Sequence, residues 1–318
     1  MSSEDELPSI SDQRVLVTGG AGFIGSNIAA TLVEENDVRV LDDLSGGSRS
    51  NVPDGATLIE GDIRDDEALE RATEDVDLIF HQAALISVVE SVREPELTHD
   101  LNVTATVKLL ERARAESARF VFASSAAVYG HPEAVPIAED APTEPTSPYG
   151  LSKLAAERYV QLYAELYDLP MVALRYFNVY GSGPVGGDYS AVIGVFAEQA
   201  TNGEPITVEG DGSQTRDFVH VRDIVQANLL AGGSDVTGVF NVGTGESVSI
   251  LELAETVRAV SGTDSEIVHV EGRPGDIDRS RADVSRLESL GYDPTVALES
   301  GLEHLLEPQN AASPSEGR

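Results

Sequence analysis

The chain contains no cysteine, and only two of its 21 Lys and Arg side chains are lysines, Lys108 and Lys153, against 55 Asp and Glu. Without cysteine there are no disulfides, no thiolate metal sites and no cysteine nucleophile, and nothing else in the sequence asks for a metal. The shortage of positive charge, a formal net charge of −34 over 318 residues, argues against nucleic acid or an anionic membrane as partner, since a phosphate surface is bound through a basic face. No apolar run approaches the roughly 20 residues that span a bilayer. The acidic segment Met1 to Ile10 lacks the basic start and apolar stretch of a signal peptide, so a cytoplasmic protein is expected. Apolar residues make up 41% of the chain, enough for a sizeable core, which leaves the acid mostly on the surface. Two readings of that surface compete, a docking face for a basic partner and adaptation to concentrated salt. The acid is spread along the chain and lysine is almost absent, which favours salt, because at about 1 M the Debye length is only about 3 Å.

Between Arg14 and Met171 short β-branched runs alternate with longer helical patterns. Val15–Val17, Val38–Leu41, Thr57–Ile59, Leu78–Phe80, Phe120–Phe122 and Val172–Leu174 read as strands buried on both faces, the mark of a parallel sheet with crossover helices. After Gly181 the texture shifts to Gly- and Pro-rich loops. The expected architecture is α/β, a Rossmann-type doubly wound parallel sheet over 11–180 with a smaller C-terminal α/β substrate-binding lobe over 181–308. Residues 218–242 are expected to pack back on the first unit, with 1–10 and 309–318 as flexible tails.

Val15 to Gly25 reads as a strand running into glycines at 19, 22 and 25 and then into a helix. Gly19 permits a tight turn, Gly22 lets a pyrophosphate approach the backbone, and Gly25 allows close helix packing, while the helix N-terminus offers its amides. The next strand ends in Asp42, 23 residues after Gly19, near the spacing of a ribose-binding carboxylate. Asp42 and Asp43 would repel a 2′-phosphate, which favours NAD over NADP. Gly61-Asp62-Ile63-Arg64 follows the third strand, where Asp62 could accept from the adenine amine, and His81-Gln82-Ala83-Ala84 closes the fourth with small residues against the cofactor.

Ser147-Pro148-Tyr149-Gly150-Leu151-Ser152-Lys153 opens a helix, with serine as N-cap and proline in the first turn. Tyr149 and Lys153 lie four apart on one face, so the ammonium can stabilise a phenolate and let the tyrosine act as a base. Upstream, Ser124 and Ser125 sit at the carboxyl end of a strand, where open α/β sheets bind ligands. Ser124 reads as structural, and no G-x-S-x-G elbow supports a hydrolytic nucleophile.

The G-x-x-G-x-x-G spacing and the motifs that follow it in order, over roughly Arg14 to Leu302, resemble the extended short-chain dehydrogenase/reductases that act on nucleotide sugars, the NAD-dependent epimerase/dehydratases, most closely those of the UDP-glucose 4-epimerase type. The resemblance implies Ser125, Tyr149 and Lys153 as catalytic residues. It implies NAD contacts from Gly19, Gly22, Phe23, Ile24, Gly25, Asp42, Asp62, Ile63, Ala83 and Phe177 together with Tyr149 and Lys153. Leu174 to Gly181 matches the segment whose asparagine, Asn178, contacts the sugar diphosphate, and Arg216, Arg273 and Asp276 fall in the stretches that grip the UDP, with Ser125 also reaching the sugar. The implied reaction is 4-epimerisation of a UDP-hexose, UDP-glucose/UDP-galactose and also UDP-GlcNAc/UDP-GalNAc, since the pocket position three before Asp283 is the small Ser280. Dehydratases of the family carry acids after the catalytic Ser/Thr, and here those positions are Ala126 and Ala127. Leu85 and Ile86 stand where some epimerases have a lysine, so a uronic acid substrate has no support; a 4,6-dehydratase, a UDP-glucuronate epimerase or a non-catalytic NAD scaffold is the alternative. The resemblance also implies a homodimer, with helices near Thr98–Ala115 and Tyr149–Tyr167 to form it.

If the surface acid is a salt adaptation, thermal stability and activity rise with KCl from about 0.1 M into the molar range as screening relieves self-repulsion. A thermal-melt series in KCl checks this; equal or greater stability at low salt points instead to a basic partner.

Overall fold

The computed structural model describes residues 10–181, 191–272, 275 and 277–306. In chain order the strands are β1 (Arg14–Thr18), β2 (Asp37–Asp42), β3 (Thr57–Glu60), β4 (Leu78–His81), β5 (Arg119–Ser125), β6 (Met171–Tyr176), β7 (Asn178–Tyr180), β8 (Ile206–Glu209), β9 (Thr215–Arg216), β10 (Phe218–His220), β11 (Gly238–Val242), β12 (Val248–Ser249) and β13 (Ile267–Val270). The helices are α1 (Phe23–Leu32), α2 (Asp66–Thr73), α3 (Val88–Arg93), α4 (Pro95–His99), α5 (Ala105–Glu116), α6 (Pro148–Tyr167), α7 (Ala191–Asn202), α8 (Val221–Gly233), α9 (Ile250–Ser261), α10 (Ser285–Glu288) and α11 (Leu298–Leu306).

Seven strands form one parallel sheet in the order β3-β2-β1-β4-β5-β6-β11. All six strands expected from the apolar runs are in it. Their side chains explain the unbroken hydrophobicity. In β1, Val15 and Val17 enter one core with Ile28, Leu32 and Ile224, while Leu16 enters the other with Leu69, Leu109 and Val160. At about 1.5–3 kcal/mol per fully buried aliphatic or aromatic side chain, covering both faces is the main drive for the layered architecture. The chain reverses its direction of travel across the sheet between β1 and β4, which opens a crevice at their carboxyl ends.

The segment 218–242 divides its contacts. Strand β10 pairs with β7 outside the main sheet, α8 covers the face that also carries α1, and β11 extends the sheet beyond β6. A third apolar core, built from Ile193, Phe196, Ile206, Val208, Leu253, Val257 and Leu302, holds the C-terminal elements together. The helix expected near Thr98–Ala115 is interrupted by one π turn at Asp100–Thr104.

At the junction of β5, β6 and α6, Glu157 and Arg175 are 0% and 2% exposed and form a two-pronged ion pair, with Nη2 to Oε1 at 2.6 Å and Nε to Oε2 at 2.9 Å. Ser124 donates to the same carboxylate at 2.7 Å, and Arg175 continues to the Tyr129 hydroxyl at 2.7 Å and the Glu139 carbonyl at 2.8 Å. Tyr129 donates onward to Asn241 of β11 at 2.6 Å. Ser124 is thus structural, as its sequence position suggests, but its partner is a buried carboxylate rather than a local turn. Breaking such a pair leaves a charge in the core without its counter-ion. Glu157→Gln is expected to lower unfolding free energy by about 3 kcal/mol or more, measured by urea denaturation with NAD at fixed concentration.

Candidate active site

Thr18 and His81 end the adjacent strands β1 and β4, and the glycine-rich turn leaves from the first. Gly19 has φ +65°, a left-handed conformation suited to glycine, and a Cβ on it would stand 2.7 Å from the Ala83 nitrogen. A Cβ on Gly25 would overlap the Gly19 carbonyl oxygen, so α1 packs onto the turn itself. Gly22 is the N-cap of α1 and, having no side chain, makes no side-chain cap bond there. Phe23 is buried and Ile24 is packed against the core, both holding the helix start in place.

Asp42, 7% exposed, accepts from the Ala21 amide at 2.9 Å and the Leu44 amide at 2.8 Å. Burial raises its pKa and those two amides oppose the rise. Asp62 is held by the Arg64 guanidinium, which also reaches Asp100 at 3.3 Å, so the ion pair with Arg64 keeps its pKa below the usual carboxylate range. Any adenine contact by Asp62 is therefore shared with Arg64. Ile63 lies buried beneath it, and the Ala83 amide donates to Thr18 Oγ1 at 3.3 Å.

His81 is 1% exposed, with Nδ1 at 2.7 Å from Thr18 Oγ1 and Nε2 at 2.9 Å from Thr106 Oγ1. Thr106 donates its hydroxyl proton to the Asn102 carbonyl at 2.8 Å, so it must accept from His81, which sets the imidazole as the neutral Nε2–H tautomer. Burial, with the Lys153 charge nearby, lowers its pKa to about 3.

Helix α6 starts as its sequence requires, with Ser147 Oγ accepting the Gly150 amide at 3.0 Å and Pro148 in the first turn. A Cβ on Gly150 would stand 2.6 Å from the Ala127 carbonyl oxygen, so the helix docks directly on the 3₁₀ turn Ala126–Val128 at the end of β5. This docking brings Tyr149 beside Ser125, whose hydroxyl partly offsets the upward push of burial on the phenol. Lys153, 3% exposed, donates to the Ala123 carbonyl at 2.8 Å and lies 5.0 Å from the Phe122 ring centre. Burial without a carboxylate lowers its pKa to about 7.

The expected sugar-nucleotide residues meet at a neighbouring junction. Asn178 donates through Nδ2 to the Asp217 carbonyl at 3.2 Å, and Arg216 donates to the Ile277 carbonyl at 2.6 Å. Phe177 is buried against Tyr129. Arg273 and Asp276 lie outside the described residues.

Three polar residues that the motifs do not point to organise these groups. Asn102, in the π turn, brackets Leu85 with bonds of 2.8 and 2.9 Å and donates to Ser152 at 2.9 Å, between Tyr149 and Lys153. Asp217, fully buried, accepts from Thr244 N and Oγ1 at 2.8 Å, Ala282 N at 3.0 Å and Gly245 N at 3.1 Å, clamping three segments around Arg216. Asn51 donates to the Ala21 carbonyl at 2.8 Å, and its Oδ1 is buried with no partner. Only Asp217 had a sequence signal, its place beside Arg216. A bare glycine turn, a carboxylate bonded to it and an unsatisfied acceptor beside it suit a dinucleotide.

A parallel sheet with a glycine turn at its switch point, facing a Ser-Tyr-Lys cluster, defines a nucleotide-dependent enzyme of the short-chain dehydrogenase/reductase type. Residues 15–243 match the NAD dependent epimerase/dehydratase family. A putative UDP-glucose 4-epimerase of Methanocaldococcus jannaschii is 40% identical over 296 residues, 92% of this chain and 97% of that protein. Among solved structures, UDP-N-acetylglucosamine 4-epimerase from Methanobrevibacter ruminantium in complex with UDP-N-acetylmuramic acid has a TM-score of 0.89 at 38% identity, covering 93% of this chain and 98% of that one. Thermus thermophilus UDP-glucose 4-epimerase in complex with NAD has a TM-score of 0.85 at 39% identity, covering 92% and 97%. The chain belongs to the NAD-dependent epimerase/dehydratase family, and NAD is its cofactor.

The buried lysine makes a pH prediction. Between its folded pKa of about 7 and its ordinary value of 10.5, the unfolded chain binds a proton that the folded chain does not, so this contribution to stability rises with pH through that window. Below about 7 the penalty of burying the ammonium is present in full. Lys153→Met removes it. Urea unfolding of NAD-free protein should show the variant's stability relative to wild type at its highest near pH 6 and falling as pH approaches about 10.

Proposed function

We propose that the chain is a UDP-hexose 4-epimerase that works through a transient 4-keto sugar. The observation that carries this reading is the meeting of Ser125 and Tyr149 beside buried Lys153, followed by Ala126 and Ala127 with no acid group. In this reading Tyr149 takes the proton from the sugar 4′-hydroxyl and, once the 4-keto sugar has turned to present its opposite face, returns a proton to the same oxygen. Ser125 hydrogen-bonds that hydroxyl and passes its proton to the phenol. Lys153, protonated, lowers the energy of the phenolate. NAD+, when bound, supplies reversible hydride acceptance at C4′ and is regenerated in each cycle. Elimination of water from the ketose needs a proton carrier next to Ser125, and two alanines supply none. Asn178, Arg216, Arg273 and Asp276 would hold the UDP moiety, with Arg216 suited to paired contacts with phosphate oxygens. These roles correspond to an N-terminal cofactor unit over 11–180 and a C-terminal substrate lobe over 181–308, as the element packing supports.

Ser280, the position that the resemblance puts at the sugar pocket, is small and buried, and its amide is tied to the Thr215 carbonyl at 3.0 Å. That supports room for a 2-acetamido group, and 4-epimerases for both UDP-glucose and UDP-N-acetylglucosamine are among the similar proteins. Incubation with a panel of nucleotide sugars and NMR of the products tests the reading. The expected products are interconverted UDP-glucose and UDP-galactose, and UDP-GlcNAc and UDP-GalNAc. Tyr149→Phe should lower turnover by about a thousandfold or more with NAD still bound. A 4-keto-6-deoxy product would assign a dehydratase instead, and NAD-loaded protein inert toward every UDP-hexose would assign a scaffold.

We also propose that a second copy covers the outer face of α6. Leu151, Tyr159, Leu162 and Leu166 are 40–62% exposed and follow helical spacing, and Val88 and Val92 of α3 add to the exposed apolar surface. Such a stripe on so acidic a surface favours a homodimer. Leu162→Glu with Leu166→Glu should convert a dimer to a monomer by light scattering after gel filtration. Among the described residues no helix is long and apolar enough to cross a membrane.

A further inference from the structure

We propose that His81 is a positioning residue for turnover: its imidazole is the middle link of one buried series of hydrogen bonds that ties the glycine turn to the helix carrying Tyr149 and Lys153. The series has a single direction. The Ala83 amide donates to Thr18 Oγ1 at 3.3 Å, and Thr18, the residue before Gly19, donates to His81 Nδ1 at 2.7 Å. His81 Nε2 donates to Thr106 Oγ1 at 2.9 Å, and Thr106 donates to the Asn102 carbonyl at 2.8 Å. The Asn102 side chain continues to Ser152 Oγ at 2.9 Å, and Ser152 donates to the Tyr149 carbonyl at 2.8 Å. Thr18, His81, Thr106, Asn102 and Ser152 are each at most 4% exposed. No charged group takes part, and each hydroxyl both accepts and donates. Removing one member therefore leaves buried polar atoms unpaired on either side of it.

The surroundings fix the ring. Phe120 and Phe122 lie 5.8 and 5.6 Å from it between ring centres, and Phe122 is also the ring 5.0 Å from Lys153 Nζ. Burial and the Lys153 charge lower the imidazole pKa to about 3, so at neutral pH the ring is uncharged and the direction of the series does not change. Thr106 stands just beyond the π turn that aims Asn102, so its bond to His81 anchors that turn to the sheet. Buried polar networks of this kind act as a unit. The glycine turn starts at one end of the series and the base stands at the other, and a displacement of about 1 Å between reacting groups can cost about a hundredfold in rate.

The turnover arm of the proposal rests on the 4-epimerase reading, and a second arm does not. NAD-loaded, full-length protein serves for both. Amide hydrogen exchange over residues 147–153, followed by mass spectrometry, needs no sugar, and His81→Leu should speed it about tenfold or more. In steady-state conversion of UDP-galactose per bound NAD, His81→Leu should lower kcat about tenfold or more with KM nearly unchanged. His81→Gln, which keeps a donor and an acceptor on one carbon, should recover most of that loss. Ser152→Ala, at the far end of the series, should also lower kcat but add little on top of His81→Leu, whereas the effects of independent sites multiply. If His81→Leu does not fold, as read by circular dichroism, Thr106→Val removes the same link and keeps the side-chain shape. Multiplying effects of His81→Leu and Ser152→Ala, a glutamine variant no better than the leucine one, or unchanged exchange over 147–153 would assign His81 to stability alone and overturn the proposal. Wild-type protein inert toward UDP-hexoses would overturn the epimerase reading instead, and the exchange measurement would still decide whether His81 holds the helix.

Discussion

The ion pair between Glu157 and Arg175 sets the register in which the reacting helix meets the sheet. Glu157 lies one helical turn beyond Lys153, so placing its carboxylate between Ser124 and Arg175 also determines where Lys153 and Tyr149 stand over the end of β5. The pair alternates with the site along one strand: Ser124 points into it and Ser125, the next residue, points away toward Tyr149. Burying two charges gains little stability over an apolar contact, but a misplaced pair is costly. A helix slipped by one residue would break both the pair and its bond to Ser124. The network through Tyr129 to Asn241 extends the same constraint to β11.

Charge neutralisation at Glu157 has an electrostatic consequence. With its carboxylate occupied by Arg175, Lys153 has a carbonyl and an aromatic ring for company and no counter-ion. Its charge is therefore available to the phenol and to an anionic ligand. The same logic applies to the whole molecule, where a net charge of −34 surrounds a site for an anionic dinucleotide. The N-terminus of α1, Lys153 and Arg216 supply local positive charge against that background.

Most of the cofactor half was legible in the sequence because its signals are local. Apolar runs identified six strands, Ser147-Pro148 identified the start of α6, and the spacing of Gly19, Gly22 and Gly25 identified the turn. What was not legible depends on partners distant along the chain. Asn102 looks like any polar residue in a helix until the π turn aims it at Leu85 and Ser152. Asp217 is one of many acids in an acidic chain until three remote amides converge on it. The role of His81 is likewise set by residues distant along the chain, through its bonds to Thr18 and Thr106.

The sequence by itself determined the layered α/β plan, the phosphate-binding turn and the four-residue offset that puts Tyr149 and Lys153 on one face. Each follows from backbone periodicity and from the properties of glycine and proline, which act within a few residues. Only the tertiary structure decided that Ser124 turns to the buried Glu157 carboxylate, that Lys153 loses its proton more readily than an ordinary lysine, and that Asn51 holds an unsatisfied acceptor against the glycine turn. Burial and hydrogen-bond geometry between remote segments govern these properties, and neither exists until the chain has folded.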